Sequence, residues 1–150
     1  MATERVVAVE REIAAPPAPI FDLLADPAQH HRFDGSDTVV SAASSNPDRL
    51  SMGARFGMSM RLGVPYRMTN EVVEFESDRV IAWRHFGHHI WRYQLEPIES
   101  DRTLVTESFN WGTSRFPPVF YEWVGYPARH EINMATTLER LASLVEGASA

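Results

Sequence analysis

Cysteine is missing altogether, which excludes a disulfide framework, a thiolate-ligated zinc or iron–sulfur centre and a thiol nucleophile. Positive charge is in deficit, with 14 Lys and Arg against 20 Asp and Glu and a formal net charge of -6. The cations are scattered arginines, whereas a phosphate backbone is gripped by clustered ones, so nucleic acid is not an expected partner. Long apolar runs are also lacking. Nothing approaches the ~18 residues of a membrane-spanning helix, and Glu4, Arg5, Glu10, Arg11 and Glu12 interrupt the place where a signal peptide would carry its apolar stretch. With no Asn-x-Ser/Thr sequon either, the expectation is a cytoplasmic protein that does not insert into membranes.

Several chemical signatures are absent too. No G-x-G-x-x-G or phosphate-binding loop occurs, so no nucleotide cofactor is expected. No G-x-S-x-G elbow supports a serine nucleophile. The pairs His30-His31 and His88-His89 are adjacent in sequence, so their side chains diverge, and no H-E-x-x-H spacing is present. They read as solvated loop histidines, and no metal is expected.

What remains is an ordinary globular composition, 44% hydrophobic and 23% charged over 150 residues. That is enough chain for one domain, residues 1–150, with a core large enough to tolerate an internal cavity. Residues 6–13 alternate β-branched and charged side chains and predict a strand. Pro16, Pro17 and Pro19 suit a helix first turn, where N–H groups lack intrahelical acceptors, and Ile20, Phe21 and Leu24 give that helix one apolar face. Asp26-Pro27-Ala28-Gln29 reads as the cap and start of a second short helix ending near Phe33. Six β-rich runs follow, at 38–43, 54–62, 66–76, 80–86, 90–96 and 103–111, joined by links short enough for an antiparallel meander. Met134, Leu138, Leu141 and Val145 then recur at helical spacing and predict a helix over 128–146.

Ile13-Ala14-Ala15-Pro16 with Ile20-Phe21, Leu24 and Asp26-Pro27, followed by Trp83, the strand from Trp91 to Pro97, Val105-Thr106-Glu107 and the closing Leu138-Glu139-Arg140-Leu141, resembles the SRPBCC or START-like superfamily, in its bacterial polyketide cyclase/dehydrase-type branch. The resemblance covers nearly the whole chain. It implies an α+β helix-grip fold: a seven-stranded curved antiparallel sheet wrapped around a long C-terminal helix, with two short helices between strands 1 and 2. It also implies a hydrophobic small-molecule ligand. Superfamily members include aromatase/cyclases, lipid and hydrophobic-ligand carriers, hydrolases and regulatory partners, and fold does not choose among them.

Strand parity identifies the cavity face. A two-residue turn at Gly63-Val64 pairs Met58 with Thr69 and Phe56 with Glu71. A three-residue turn at 77–79 sets Phe75 against Ile81, Val73 against Trp83 and Glu71 against His85. A three-residue turn at 87–89 pairs His85 with Trp91 and Trp83 with Tyr93. The last hairpin places Tyr93 beside Glu107 and Trp91 beside Phe109.

The inward residues offered as ligand contacts are Phe56, Met58, Met60, Thr69, Val73 and Trp83. Trp91, Phe109 and Trp111 continue the face, and Trp123, His130 and Met134 are added from the chain beyond the sheet. Flat rings and adaptable thioethers suit a bulky apolar or aromatic molecule, though the same side chains could simply fill a core. Glu107 with Tyr93, and Glu71 with His85, form two acid–partner pairs that could move protons on a carbonyl substrate in a cyclisation, dehydration or aromatisation; a non-catalytic carrier is the other reading. A third is a regulatory module with a vestigial cavity, resting on the apolar, proline-stiffened residues 116–121, which suit either a homodimer contact or a lid.

Overall fold

The computed structural model describes residues 5–85, 88–112 and 126–146. β1 (Val6–Ile13) leads into α1 (Pro17–Leu24), whose prolines occupy its first turn and whose buried Ile20, Phe21 and Leu24 face the sheet. Phe21 meets Phe75 edge-on at 5.4 Å. Asp26 accepts a hydrogen bond from the Ala28 amide and starts a 3-10 turn, Pro27–Gln29, that runs into α2 (His30–Phe33).

Six further strands follow: β2 (Val39–Ala42), β3 (Arg55–Leu62), β4 (Val64–Glu76), β5 (Val80–His85), β6 (Ile90–Glu99) and β7 (Arg102–Asn110). They form one antiparallel sheet in the order β1-β7-β6-β5-β4-β3-β2. The last helix, α3 (Tyr126–Glu146), already includes residues 126 and 127, ahead of the 128 that the periodicity suggests. Its buried stripe, Met134, Thr137, Leu138, Leu141, Ala142 and Val145, lies on the concave side of the sheet. The helix-grip architecture is thus present.

Three registers differ from the expected ones, and the effects of the first two cancel. Between β3 and β4 the turn is one residue shorter, centred on Gly63 at φ 75°, so Met58 pairs with Met68 and Phe56 with Asn70. A glycine is needed there because side chains resist positive φ. In β4 the register shifts between Val72 and Glu74, a β-bulge, so Trp83 pairs with Val72 while Phe75 still pairs with Ile81. Only residues 64–73 therefore swap faces. Thr69, Glu71 and Val73 leave the concave wall; Tyr66, Met68 and Asn70 take it over. The β5–β6 hairpin is longer than expected, with Trp83 opposite Trp91 and Ile81 opposite Tyr93. A slip of two residues preserves parity. The β6–β7 register is the expected one, Tyr93 with Glu107 and Trp91 with Phe109.

The loop after α2 is tied to α3. Gly35 donates its N–H to Thr137 Oγ1 at 2.9 Å, and Arg140 reaches the Asp34 carbonyl and the Asp37 carboxylate. The Asp34 carboxylate accepts from the Ser36, Thr38 and Val39 amides, which turns the chain into β2.

Candidate functional site

A cavity of about 530 Å³ lies between the concave face of the sheet, α2 and α3. Its wall includes Phe56, Met58 and Met60 from β3, Trp83 and His85 from β5, and Trp91 and Tyr93 from β6. Glu107 enters from β7, and His130 and Met134 from α3.

Other sequence-based candidates lie elsewhere. Glu71 is on the convex face, ion-paired to Arg84 at 2.6 Å and to Arg55 at 3.4 Å. The Arg84 hydrogen bond holds its carboxyl below the usual carboxylate range. Thr69 is exposed and Val73 sits at the bulge; neither lines the cavity. The expected Glu71–His85 pair is corrected accordingly: Asn70, not Glu71, stands opposite His85. Phe109 and Trp111 are buried but form a second cluster with Met134 behind the cavity wall. Trp123 and residues 116–121 lie outside the described residues.

The best-defined polar feature is the Tyr93–Glu107 pair. Glu107 occupies the inward parity of β7 between Val105 and Phe109, both fully buried, and is itself 2% exposed. The Tyr93 hydroxyl donates to its Oε1 at 2.7 Å. Burial pushes the Glu107 carboxyl well above the usual carboxylate range; the Tyr93 hydrogen bond opposes this, and the charge of nearby Asp34 adds to it. Desolvation of this kind favours the protonated form of the carboxyl over the carboxylate. Burial likewise pushes the Tyr93 phenol well above its ordinary value, with Glu107 contributing. Glu107 Oε2, Asn70 Oδ1 and His85 Nδ1 are buried with no hydrogen-bond partner among the described residues.

Histidines cluster here in a way that adjacency in sequence did not suggest. His30 is 5% exposed, hydrogen-bonds the Leu24 carbonyl at 2.8 Å through Nε2, and stacks on Trp83 at 5.1 Å. Because a carbonyl only accepts, Nε2 carries the proton. Burial lowers its pKa to about 4. His85 and His89 stack at 4.6 Å, and His130 lies against Trp91 at 4.9 Å. Burial depresses all three, His89 and His130 to about 4 and His85 well below the usual value. Among the described residues no group of three or more such side chains is arranged to hold a metal ion. His31 is exposed but lies in α2 rather than in a loop, and His30 and His89 line the cavity.

Sequence reasoning missed Tyr66, Met68 and Asn70, which follow from the bulge, and Phe33, Asp34 and Asn133, which follow from how α2 and α3 close over the sheet. A polar Asn70 flanked on alternate positions by Met68 and Val72 was the one available signal.

A seven-stranded sheet gripping a terminal helix over an aromatic-walled cavity is the architecture of the SRPBCC-type domains. The chain belongs to the family described as polyketide cyclase/dehydrase and lipid transport, whose pattern it matches over residues 4–146. It is 34% identical to the uncharacterized protein Rv0088 of Mycobacterium tuberculosis over 135 residues, covering 87% of this chain and 60% of that protein, so it spans less than two thirds of that relative's length. Its fold is similar to the crystal structure of protein Ms6760 from Mycobacterium smegmatis, with TM-score 0.74, 15% identity and coverage of 97% of this chain and 93% of the other. It also resembles the solution structure of the Aha1 dimer from Colwellia psychrerythraea, with TM-score 0.67, 17% identity and coverage of 94% and 96%. At these identities the likeness to the two structures is one of fold. Among the described residues no helix is long and apolar enough to cross a membrane.

Proposed function

We propose that this domain encloses a hydrophobic small molecule, aromatic or polyketide-like, in the cavity between the sheet and α3. The observation that carries this reading is the combination of about 530 Å³ of space, indole walls from Trp83 and Trp91, and a single buried acid–phenol pair, Glu107 and Tyr93. Apolar walls supply affinity, and a few convergent polar groups fix orientation.

The same groups support acid–base chemistry on a carbonyl compound. Glu107, whose protonated form burial favours, serves as general acid toward a carbonyl oxygen, with Tyr93 holding its orientation. Protonation of that oxygen would promote enolisation, aldol-type cyclisation or dehydration without a cofactor. A carrier uses the same cavity with no turnover.

Native mass spectrometry of freshly purified protein tests the binding reading by looking for a co-purified small molecule. Saturable quenching of tryptophan emission by a planar apolar compound, weakened about tenfold or more in Trp83→Ala, is the expected second result. No bound mass and no saturable quenching would overturn it. Turnover that falls in Tyr93→Phe and Glu107→Gln with binding retained marks an enzyme; absence of turnover in the wild type marks a carrier. Residues 116–121 carry the proposal of a homodimer, an assembly shared with the Aha1 dimer. Sedimentation equilibrium of the full chain decides it.

A further inference from the structure

Among the described residues, the polar cavity-lining atoms without a hydrogen-bond partner on Glu107, Asn70 and His85 stand on two separate rungs of the sheet. Glu107 and Tyr93 share a rung of the sheet with Ile81, and Asn70 shares one with His85. Ile81 and His85 are four residues apart on β5, so the two rungs are offset by about 13 Å along the strands at ~3.3 Å per residue, and Glu107 on β7 and Asn70 on β4 are in addition three strands apart across the sheet. Midway between them is the rung of Trp83 and Trp91, both on the cavity wall.

The chemistry of the two rungs differs. At one, Tyr93 donates to Glu107 Oε1 and leaves Oε2 as the only oxygen without a partner among the described residues. An ionised carboxylate would bring a bare charge into an apolar wall, at a cost far above that of a neutral acid. The stable form carries its proton on Oε2 and offers a donor to the cavity. The raised proton affinity of Glu107 agrees with this. At the other, Asn70 is 4% exposed, its Oδ1 has no partner among the described residues, and the His85 ring nitrogen Nδ1 beside it is in the same position. A hydroxyl, which both donates and accepts, satisfies Asn70 whichever way its amide is turned.

We infer that the cavity selects a two-ended ligand: a flat apolar body lying along Trp83 and Trp91, with a carbonyl received by Glu107 at one end and a hydroxyl received by Asn70 and His85 at the other. This rests on the proposed ligand-enclosing function and narrows its substrate class to hydroxylated carbonyl compounds. Each end leaves a buried polar group unmet when the ligand lacks the matching atom, and that loss discriminates more strongly than an added methylene does.

A rigid probe, 6-acetyl-2-naphthol, carries the two groups at opposite ends of a flat apolar body, with a hydrogen bond of about 2.8 Å to be made at each. It is titrated into the full chain by displacement of N-phenyl-1-naphthylamine, beside 2-acetylnaphthalene, which lacks the hydroxyl, and 2-naphthol, which lacks the ketone. The bifunctional probe should bind about tenfold tighter than either analogue. In Glu107→Met the advantage conferred by the ketone disappears while that of the hydroxyl remains; Asn70→Leu gives the reverse. Glu107→Gln keeps the ketone advantage, because its amide donates where the carboxyl proton does, whereas a carboxylate role would be lost. Equal binding of the three compounds by the wild type, a result that needs no variant to fold, overturns the inference, as does a ketone preference that survives Glu107→Met. Failure of N-phenyl-1-naphthylamine to bind at all overturns the ligand-enclosing function and this inference with it.

Discussion

The Tyr93 hydroxyl is committed to Oε1 of Glu107 at 2.7 Å, which leaves the second carboxyl oxygen buried without a hydrogen-bond partner among the described residues. Two adjacent strands in fixed register hold this arrangement, since Tyr93 and Glu107 pair across β6 and β7. A phenol and an acid so coupled orient each other before any ligand arrives.

The coupling has a consequence for stability against pH. Glu107 has a folded-state pKa raised above its unfolded value near 4.5, so folding takes up a proton at pH values between the two. Its favourable contribution is complete below about 4.5 and is lost as pH rises through the raised value. Glu107→Gln, which keeps the shape and removes the titration, should therefore gain stability relative to wild type as pH rises, by roughly 1–3 kcal/mol at mildly alkaline pH. Urea denaturation across the pH range measures it; a difference independent of pH would show that Glu107 is ionised in the fold.

Acid should unfold the protein through its histidines. His30 titrates at about 4 in the fold against 6.5 outside it, so its contribution is intact above 6.5 and is lost as pH falls through about 4. His30 alone is worth roughly 3 kcal/mol over that window, and His85, His89 and His130 act in the same direction. His30→Gln retains a donor for the Leu24 carbonyl but cannot charge. It should flatten the acid limb of a stability–pH curve while costing about 1 kcal/mol at neutral pH through the lost stacking on Trp83.

Gly35 is where the loop after α2 meets α3 most closely. A Cβ there would fall 2.1 Å from the Asn133 carbonyl oxygen and 2.9 Å from Thr136 Cβ, backbone and side chain of a helix that cannot give way cheaply. Gly35→Ala should cost about 3 kcal/mol or more and push apart two elements that both line the cavity. A thermal melt and the affinity for N-phenyl-1-naphthylamine should fall together. A melt unchanged from wild type would mean that the loop and α3 do not approach as described.

Glu71 provides the control. It lies on the convex face with Arg84 and Arg55, so Glu71→Gln should leave ligand binding unchanged and lower stability only slightly, since partly exposed ion pairs contribute little. Loss of binding in this variant would return Glu71 to the concave wall and remove the bulge at Val73.

The architecture was legible because each element carries a local cause. Alternation marked β1 and the meander, the proline cluster marked the start of α1, and the 134-138-141-145 stripe marked α3. The Tyr93–Glu107 pairing was legible for the same reason, since both hairpin ends of β6–β7 are long alternating runs whose parity admits one answer. Glu71 was misplaced because a one-residue turn at Gly63 and an extra residue at Val73 are each invisible to a period-two pattern, and together they restore the phase on either side. His30 was misread because its burial depends on α2 folding back over Phe56 and Trp83, residues far away along the chain.

The amino-acid sequence by itself determined the order and type of the elements, the absence of thiol chemistry, and which face of most strands is apolar, since these depend on side chains a few residues apart. Tertiary structure decided which polar groups share the cavity: Asn70 rather than Glu71 opposite His85, His30 under Trp83, and a desolvated Glu107 held by Tyr93. Those outcomes depend on desolvation and on contacts across strands and layers, and neither exists until the sheet has curved around α3 and excluded water.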